Sequence, residues 1–160
     1  MEANTDSYTN RGLYWLEKAD YSNAESDCMQ AIQLAPYNAD AYACVGFALL
    51  QQGRANRAIQ FFDYAIHLGQ ESTDTYIARG RAYLLAGNAQ HARIDFNQAL
   101  ALDSSQDNVE LFYHRGLAAR ELHDYEGAIA DFNQTLALQP NHSAAKQQKE
   151  VCTSYMEVRE

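Results

Sequence analysis

Lysine and proline are scarce in this chain. Only Lys18, Lys146 and Lys149 carry an ammonium, and 2 prolines serve 160 residues. So few helix-breaking residues leave long helices joined by short turns as the simplest architecture. Positive charge is also short: 12 basic residues face 21 acidic ones, a net charge of −9, with no polybasic run. Nucleic acid and anionic membrane surfaces both require a basic face, so neither is expected as a partner. No apolar run is long enough to span a bilayer, so no membrane insertion is expected. The opening MEANTDSYTN has neither the basic start nor the apolar stretch of a signal peptide. Three cysteines, Cys28, Cys44 and Cys152, are an odd number without CxxC spacing. That pattern argues against a disulfide framework and for a reducing, cytoplasmic setting.

Chemistry-bearing motifs are missing as well. The chain has no GxSxG, P-loop or HExxH. Its histidines, His67, His91, His114, His123 and His142, are scattered, and none stands four residues from another histidine or a cysteine. No metal site and no cofactor are expected. Cys44 with His114 as base is the sharpest catalytic alternative, and no motif supports it, so the expectation is a protein that is not an enzyme. Asn133 and Asn141 open NQT and NHS, glycosylation sequons that carry no weight without secretion.

What is present is a period. At 47% hydrophobic and 21% charged residues the chain is globular, and its length suits a single domain over residues 1–160. The segment ARGRAYLLAG (78–87) reads as helix, yet holds Gly80 in its interior. A glycine there costs about 1 kcal/mol relative to alanine. Equivalent glycines stand at Gly12, Gly46 and Gly116, at steps of 34, 34 and 36 residues. A repeat in that range dictates the whole fold. Four units follow: 5–38, 39–72, 73–106 and 109–142. An aromatic precedes each glycine by four (Tyr8, Tyr42, Tyr76, Phe112), and an alanine follows by twelve (Ala24, Ala58, Ala92, Ala128). Cys28, Phe62, Phe96 and Phe132 follow by sixteen, and Pro36 and Pro140 end two of the units.

Each unit divides into two helices, over 6–18, 40–52, 74–86 and 109–121, and over 22–34, 56–68, 90–102 and 125–138. Gly80 and Ala92 are expected to bring the two backbones of one hairpin together, with Phe96 and Tyr76 beside them. Arg11, Arg79 and Arg115 precede their glycines, and Asp27, Asp95 and Asp131 stand sixteen residues later. The second unit lacks both members, carrying Val45 and Phe61 instead. Paired change inside one chain predicts contact: an ion pair in three units, an apolar pair in the other. Beyond residue 142, Val151, Tyr155 and Val158 fall at i, i+4 and i+7. A capping helix over 143–158 is expected to lay that stripe on the last repeat.

These residues resemble the tetratricopeptide repeat, whose 34-residue pattern has an aromatic at the fourth position, glycine at the eighth, alanine at the twentieth, an aromatic at the twenty-fourth and proline near the thirty-second. NRGLYWLEKADYSNAESDCMQAIQLAP and HRGLAARELHDYEGAIADFNQTLALQP follow it closely. Cys28 and Thr135 depart from it, and Gln70 and Ser104 stand where proline could. The resemblance implies an all-α, right-handed superhelix of four helix hairpins plus the C-terminal cap. It implies a concave, protein-binding groove lined by Thr9, Asn10, Leu13, Ala43, Cys44, Phe47, Ile77, Ala78, Arg81, Tyr113, His114 and Leu117. Asp6, Asp40, Asp74 and Glu110 would form its acidic rim. About half of the lining positions are expected to pack between helices instead. Co-chaperone members of the family clamp the carboxylate end of heat-shock proteins with lysine, arginine and asparagine. Here the matching positions hold Thr9, Leu13, Cys44, Asp74 and Ala78, which make no clamp. The expected partner is therefore another protein, offering an apolar or mixed peptide or helix segment to a monomer or weak homo-oligomer. A self-assembling scaffold is the alternative.

Overall fold

Short polar side chains start most of the helices. In the computed structural model, which describes residues 5–103, 105 and 107–158, the helices are α1 Thr5–Glu17, α2 Tyr21–Leu34, α3 Ala39–Gln51, α4 Ala55–His67, α5 Thr73–Leu85, α6 Ala89–Leu102, α7 Val109–Glu121, α8 Tyr125–Leu138 and α9 Ser143–Glu157. Asp20, Asn38, Ser72, Asn88, Asn108, Asp124 and His142 each accept a bond from the backbone N–H three residues on, at the starts of α2, α3, α5, α6, α7, α8 and α9. Each such cap satisfies an amide that the helix leaves unpaired. The turn inside each hairpin needs one left-handed residue: Gly53 and Gly87 take it at φ 73° and 77°, while Ala19 and His123 adopt it at 57° and 60°. Outside glycine that conformation costs about 1–2 kcal/mol, so the hairpin geometry overrides local preference in the first and last repeats. The sequence-derived helix limits stand within a residue of the observed ones. No strand occurs among the described residues, and the fold is an all-α superhelix. Ser104, where a proline could stand, lies outside the described residues.

The ring expected beside Gly80 is its nearest neighbour, and the equivalent rings stand against Gly46 and Gly116. A Cβ on Gly80 would stand 2.6 Å from the Phe96 ring, one on Gly46 2.8 Å from Phe62, and one on Gly116 2.7 Å from Phe132. The missing side chain makes room for a phenyl ring lying flat against the facing helix. In the first repeat the facing backbone is close as well, the Ala24 carbonyl oxygen standing 3.3 Å from a Cβ on Gly12. All three rings are fully enclosed.

The first repeat solves the same problem with sulfur. Cys28 stands where the others have phenylalanine, and it is bonded to Cys44 of α3. A Cβ on Gly12 would collide with Cys28 Sγ. The expectation of unpaired cysteines is thus corrected for two of the three: Cys28 and Cys44 form a disulfide, and only Cys152 is free.

The arginine–aspartate pairs are observed in all three repeats. Nε and Nη2 of Arg11 donate to Asp27 at 2.5 and 2.6 Å, those of Arg79 to Asp95 at 2.8 and 2.7 Å, and those of Arg115 to Asp131 at 2.9 and 2.6 Å. Each guanidinium also lies over the aromatic ring three residues before it, at 5.2–5.7 Å. In the second repeat Val45 is enclosed, and Phe61 packs on the core that contains it. These arginines are occupied by their own carboxylates and by stacking, which is the structural use the covariation indicated.

The last helix caps α8 through small residues and through one member of the expected stripe, Tyr155, which stacks on Tyr125 of α8 at 5.2 Å. Ala145 and Cys152 are its buried residues and join the core of Ala128 and Phe132. Val151, Tyr155 and Val158 are 39%, 55% and 87% exposed. Small side chains let α9 lie close on α8, which leaves Val151 and Val158 of the stripe outside and Tyr155 at the edge of the contact.

Candidate functional site

The odd-numbered helices form one continuous layer. α1 touches α3, α3 touches α5, α5 touches α7 and α7 touches α9, whereas the backbones of successive even-numbered helices stay apart among the described residues, with α2 and α4 reaching each other only through long side chains such as Arg57 to Glu25. The odd helices are therefore the crowded, inner side of the curve and the even ones its splayed outer side. The inner layer carries the residues assigned to the groove.

The structure sorts those residues by depth. Thr9, Ala43, Cys44, Ile77 and Ala78 are buried at 6%, 4%, 0%, 4% and 2% exposure. Thr9 accepts a bond from Asn38 Nδ2 at 3.2 Å and donates to the Thr5 carbonyl, so it joins the first repeat to the second. Cys44 has no surface, and its disulfide removes the nucleophile that a Cys44–His114 pair would need. Asn10 and Leu13 are exposed at the N-terminal end of the layer. Phe47, Arg81, Tyr113, His114 and Leu117 are half-buried.

Two local environments result. Between α3, α5 and α7 lies an open hollow of about 210 Å³, lined by Phe47, Gln51, Asp74, Ile77, Ala78, Arg81, Asn108 and Glu110. Phe47 is held edge-on against Phe62 at 5.2 Å, so it is a fixed wall of this hollow. Arg81 donates to Glu110 at 2.8 Å, which ties the guanidinium in the hollow to a carboxylate beside it. Asp40, another rim residue, accepts from Gln70 at 2.6 Å. Gln51 and Asn108 were not singled out from sequence. Gln51 lies one turn after Phe47 on the same face, a signal that was available. Asn108 enters from the loop whose two-residue insertion precedes the last repeat, and no helical period reports on it.

The second environment is aromatic. Tyr113 lies 4.6 Å from the His142 ring, 5.3 Å from His114 and 6.1 Å from Phe132, and His114 stacks on Phe96 at 6.2 Å. Burial, with Arg81 and His142 adding to it, pushes the His114 imidazole down to about 4. Above its ordinary 6.5 the ring is neutral in both folded and unfolded chains. Below that value the unfolded chain binds a proton that the folded chain refuses. This residue's contribution to stability is therefore complete above pH 6.5 and is lost as the pH falls to about 4. The variant His114→Gln, carrying the side chain that α9 has at the matching place (Gln148), is expected to flatten the loss of stability in that window. Urea melts of both proteins at about pH 7 and about pH 5 check it.

Among the described residues no cluster of three His, Cys, Asp or Glu could hold a metal ion, and no helix is long and apolar enough to cross a membrane. The hollow and its rim offer contact surface and charge rather than a set of reacting groups.

Known proteins with the same pattern bear on this surface. Family models described as "Tetratricopeptide repeat" match residues 5–38, 28–60, 73–106 and 109–142. Over 56 residues the chain is 46% identical to "Peptidyl-prolyl cis-trans isomerase FKBP4" of Homo sapiens, which is 35% of this chain and 12% of that protein. The chain thus spans a small part of that relative. Among solved structures, MamA superposes with a TM-score of 0.85 at 21% identity, covering 99% of this chain and 86% of that one. The first TPR of Spaghetti (RPAP3), bound to the HSP90 peptide SRMEEVD, superposes with a TM-score of 0.68 at 23% identity, covering 74% and 93%. With four matched segments that take in most of the residues, the chain belongs to the tetratricopeptide repeat family.

Proposed function

We propose that this chain is a non-enzymatic protein-binding module, an adaptor or assembly factor, whose inner face takes an uncharged or mildly basic apolar segment of a partner protein. The observation that carries this reading is the hollow between α3, α5 and α7. Its floor is Phe47, Ile77 and Ala78, its rim holds Asp74 and Glu110, and its guanidinium, Arg81, is bonded to Glu110. An apolar segment gains by covering the floor, at about 25 cal/mol for each Å² removed from water. A basic flank gains from the rim, whereas an acidic peptide meets like charge and must break the Arg81 pair. The net charge of −9 extends the same preference over the whole surface and disfavours nucleic acid. The solved Spaghetti domain holds an acidic-ended peptide; here the clamp positions carry no such set of cations.

The test is calorimetry on two peptides: the segment recovered from a partner by pull-down and cleavage mapping, and a peptide ending in Glu-Glu-Val-Asp. The first is expected to bind, about tenfold more weakly to Phe47→Ala and to Asp74→Lys, and the second not to bind. Phe47 also leans on Phe62, so Asp74→Lys, at an exposed position, is the variant that leaves the fold alone. Tight binding of the acidic peptide, or unchanged affinity in both variants, would move the site elsewhere.

A second reading, self-assembly as a scaffold, is favoured by the exposed Val151, Tyr155 and Val158 on α9. A mass that rises with concentration in light scattering would select it. The cytoplasmic expectation rested on unpaired cysteines, and the Cys28–Cys44 bond removes that ground.

A further inference from the structure

We propose that the Cys28–Cys44 disulfide is a redox latch that decides whether the first repeat, α1 and α2, stays docked on the rest of the array. The first core slot is built differently from the later three. At every later junction the slot is filled by an enclosed phenyl ring, Phe62, Phe96 or Phe132. Such a ring holds its neighbour by the apolar area it buries. At the first junction the slot holds only two sulfur atoms, one from α2 and one from α3, and both cysteines are at 0% exposure. The hold there is a covalent bond in place of a ring.

α2 packs closely on α3, but α1 adds little to that hold. α1 buries only Thr9 and Gly12, whereas α3 buries eight of its residues. Tyr14 occupies the position that is the enclosed Ala48, Ala82 and Ala118 in later repeats, and it is 49% exposed. Polar links across the junction include Asn38, the cap of α3, to Thr9, Gln52 to the Tyr21 carbonyl, and Arg54, Arg57 and Gln52 to Glu25. Leu16, Met29 and Ile32 pack partly on the shared core. Ala24 and Ala31 of α2 are enclosed as well, so reduction leaves the repeat held by these links and by the packing of small side chains, without a ring or a covalent bond in the slot.

The chemistry is thiol–disulfide exchange with a dithiol. A thiolate of the dithiol attacks one sulfur, forming a mixed disulfide and releasing the other cysteine as a thiolate that takes up a proton. The second thiol of the reagent then displaces the first cysteine, so the chain gains two electrons and two protons and the dithiol leaves as its own disulfide. Both sulfurs are enclosed, so a reductant reaches them only after α1–α2 has opened. At high dithiol the rate of reduction is therefore set by opening and does not depend on reagent concentration. The two cysteines are 16 residues apart. In the chain-entropy account, releasing a loop of that size raises the open population of α1–α2 about hundredfold. The array is quasi-one-dimensional, so the loss stays in the end repeat and α3–α9 remain folded.

Hydrogen exchange on the full chain, with and without dithiothreitol, tests the latch without reference to what the groove binds. The expected result is about hundredfold weaker protection in α1 and α2 after reduction, with α5–α9 unchanged. Cys28→Phe/Cys44→Ala installs the pair of the next junction, Phe62 with Ala78, and should be protected and indifferent to dithiol. Cys28→Ser should behave as the reduced chain without any reagent, and it serves as the test if the double variant does not fold. Unchanged protection of α1 and α2 in both the reduced chain and Cys28→Ser would overturn the proposal. So would loss of protection throughout α3–α9, or both cysteines found free by thiol alkylation of the protein from its native source.

Discussion

Gly80→Leu is expected to lower the stability of the array by about 3 kcal/mol, through overpacking of a slot that has no spare volume. Even the first carbon of the new side chain would stand 2.6 Å from Phe96, a ring that is wholly enclosed between α5, α6 and the next repeat. The ring cannot swing away, because Ala92, Ala99 and Leu111 close the same core around it. If the phenyl is the obstacle, removing it should relieve the strain. Phe96→Ala alone leaves a cavity and costs about 3–5 kcal/mol. In the double variant the leucine occupies part of that cavity, so the two losses should fall short of their sum by more than about 1 kcal/mol. Denaturant melts of the four proteins give that coupling. A Gly80→Leu variant that melts with wild type would mean that α5 and α6 are not held together at this point.

The same ring explains how far the sequence could be read. The 34-residue period places glycine, alanine and aromatic columns at fixed offsets, and those offsets locate each helix to within a residue. Periodicity reports which positions face inward. It does not report how closely they meet: Phe96 is expected beside Gly80, but that it, rather than Tyr76, is the nearest contact depends on the three-dimensional packing. The Arg79–Asp95 pair was legible because one repeat, with Val45 and Phe61, varied both columns together. The disulfide was not, since a bond between α2 and α3 joins two different columns and occurs once. Its one trace is Cys28 standing in the phenylalanine column. On α9, Val151, Tyr155 and Val158 make a clear stripe, but a stripe does not say which way it points. Close packing selected the small residues Ala145 and Cys152 for the interface. At the groove, Thr9, Ala43, Cys44, Ile77 and Ala78 sit in the expected layer yet lie beneath its surface. Depth depends on the neighbouring repeats' side chains, and one helix's spacing cannot supply it.

Removing Arg79 should be the most damaging single loss among the ion pairs. Arg79 and Asp95 side chains are 17% and 3% exposed, and the guanidinium also bonds Asp63 at 2.7 Å. Burial pushes the Asp95 carboxyl up, against the pull of Arg79. Without the arginine an enclosed carboxylate has lost its bidentate partner, a change that costs about 3 kcal/mol at neutral pH. The deficit of Arg79→Ala relative to wild type should shrink as the pH falls, because a protonated Asp95 no longer carries the uncompensated charge. Arg11 offers the control. It is 55% exposed, and Asp27 keeps a bond from Trp15 Nε1 at 3.0 Å, so Arg11→Ala is expected to cost far less than Arg79→Ala. The hydrogen bonds from Arg11 hold Asp27 below the usual carboxylate range, so what little that pair contributes is lost in acid. The second repeat shows how to remove a pair without penalty. Arg79→Val/Asp95→Phe copies Val45 and Phe61, leaves no buried charge behind, and should lie within about 1 kcal/mol of wild type. Melts at neutral and acidic pH on the three variants decide the matter. An Arg79→Ala loss no larger than that of Arg11→Ala would show that Asp95 finds another partner, and that the covariation between repeats marks packing alone.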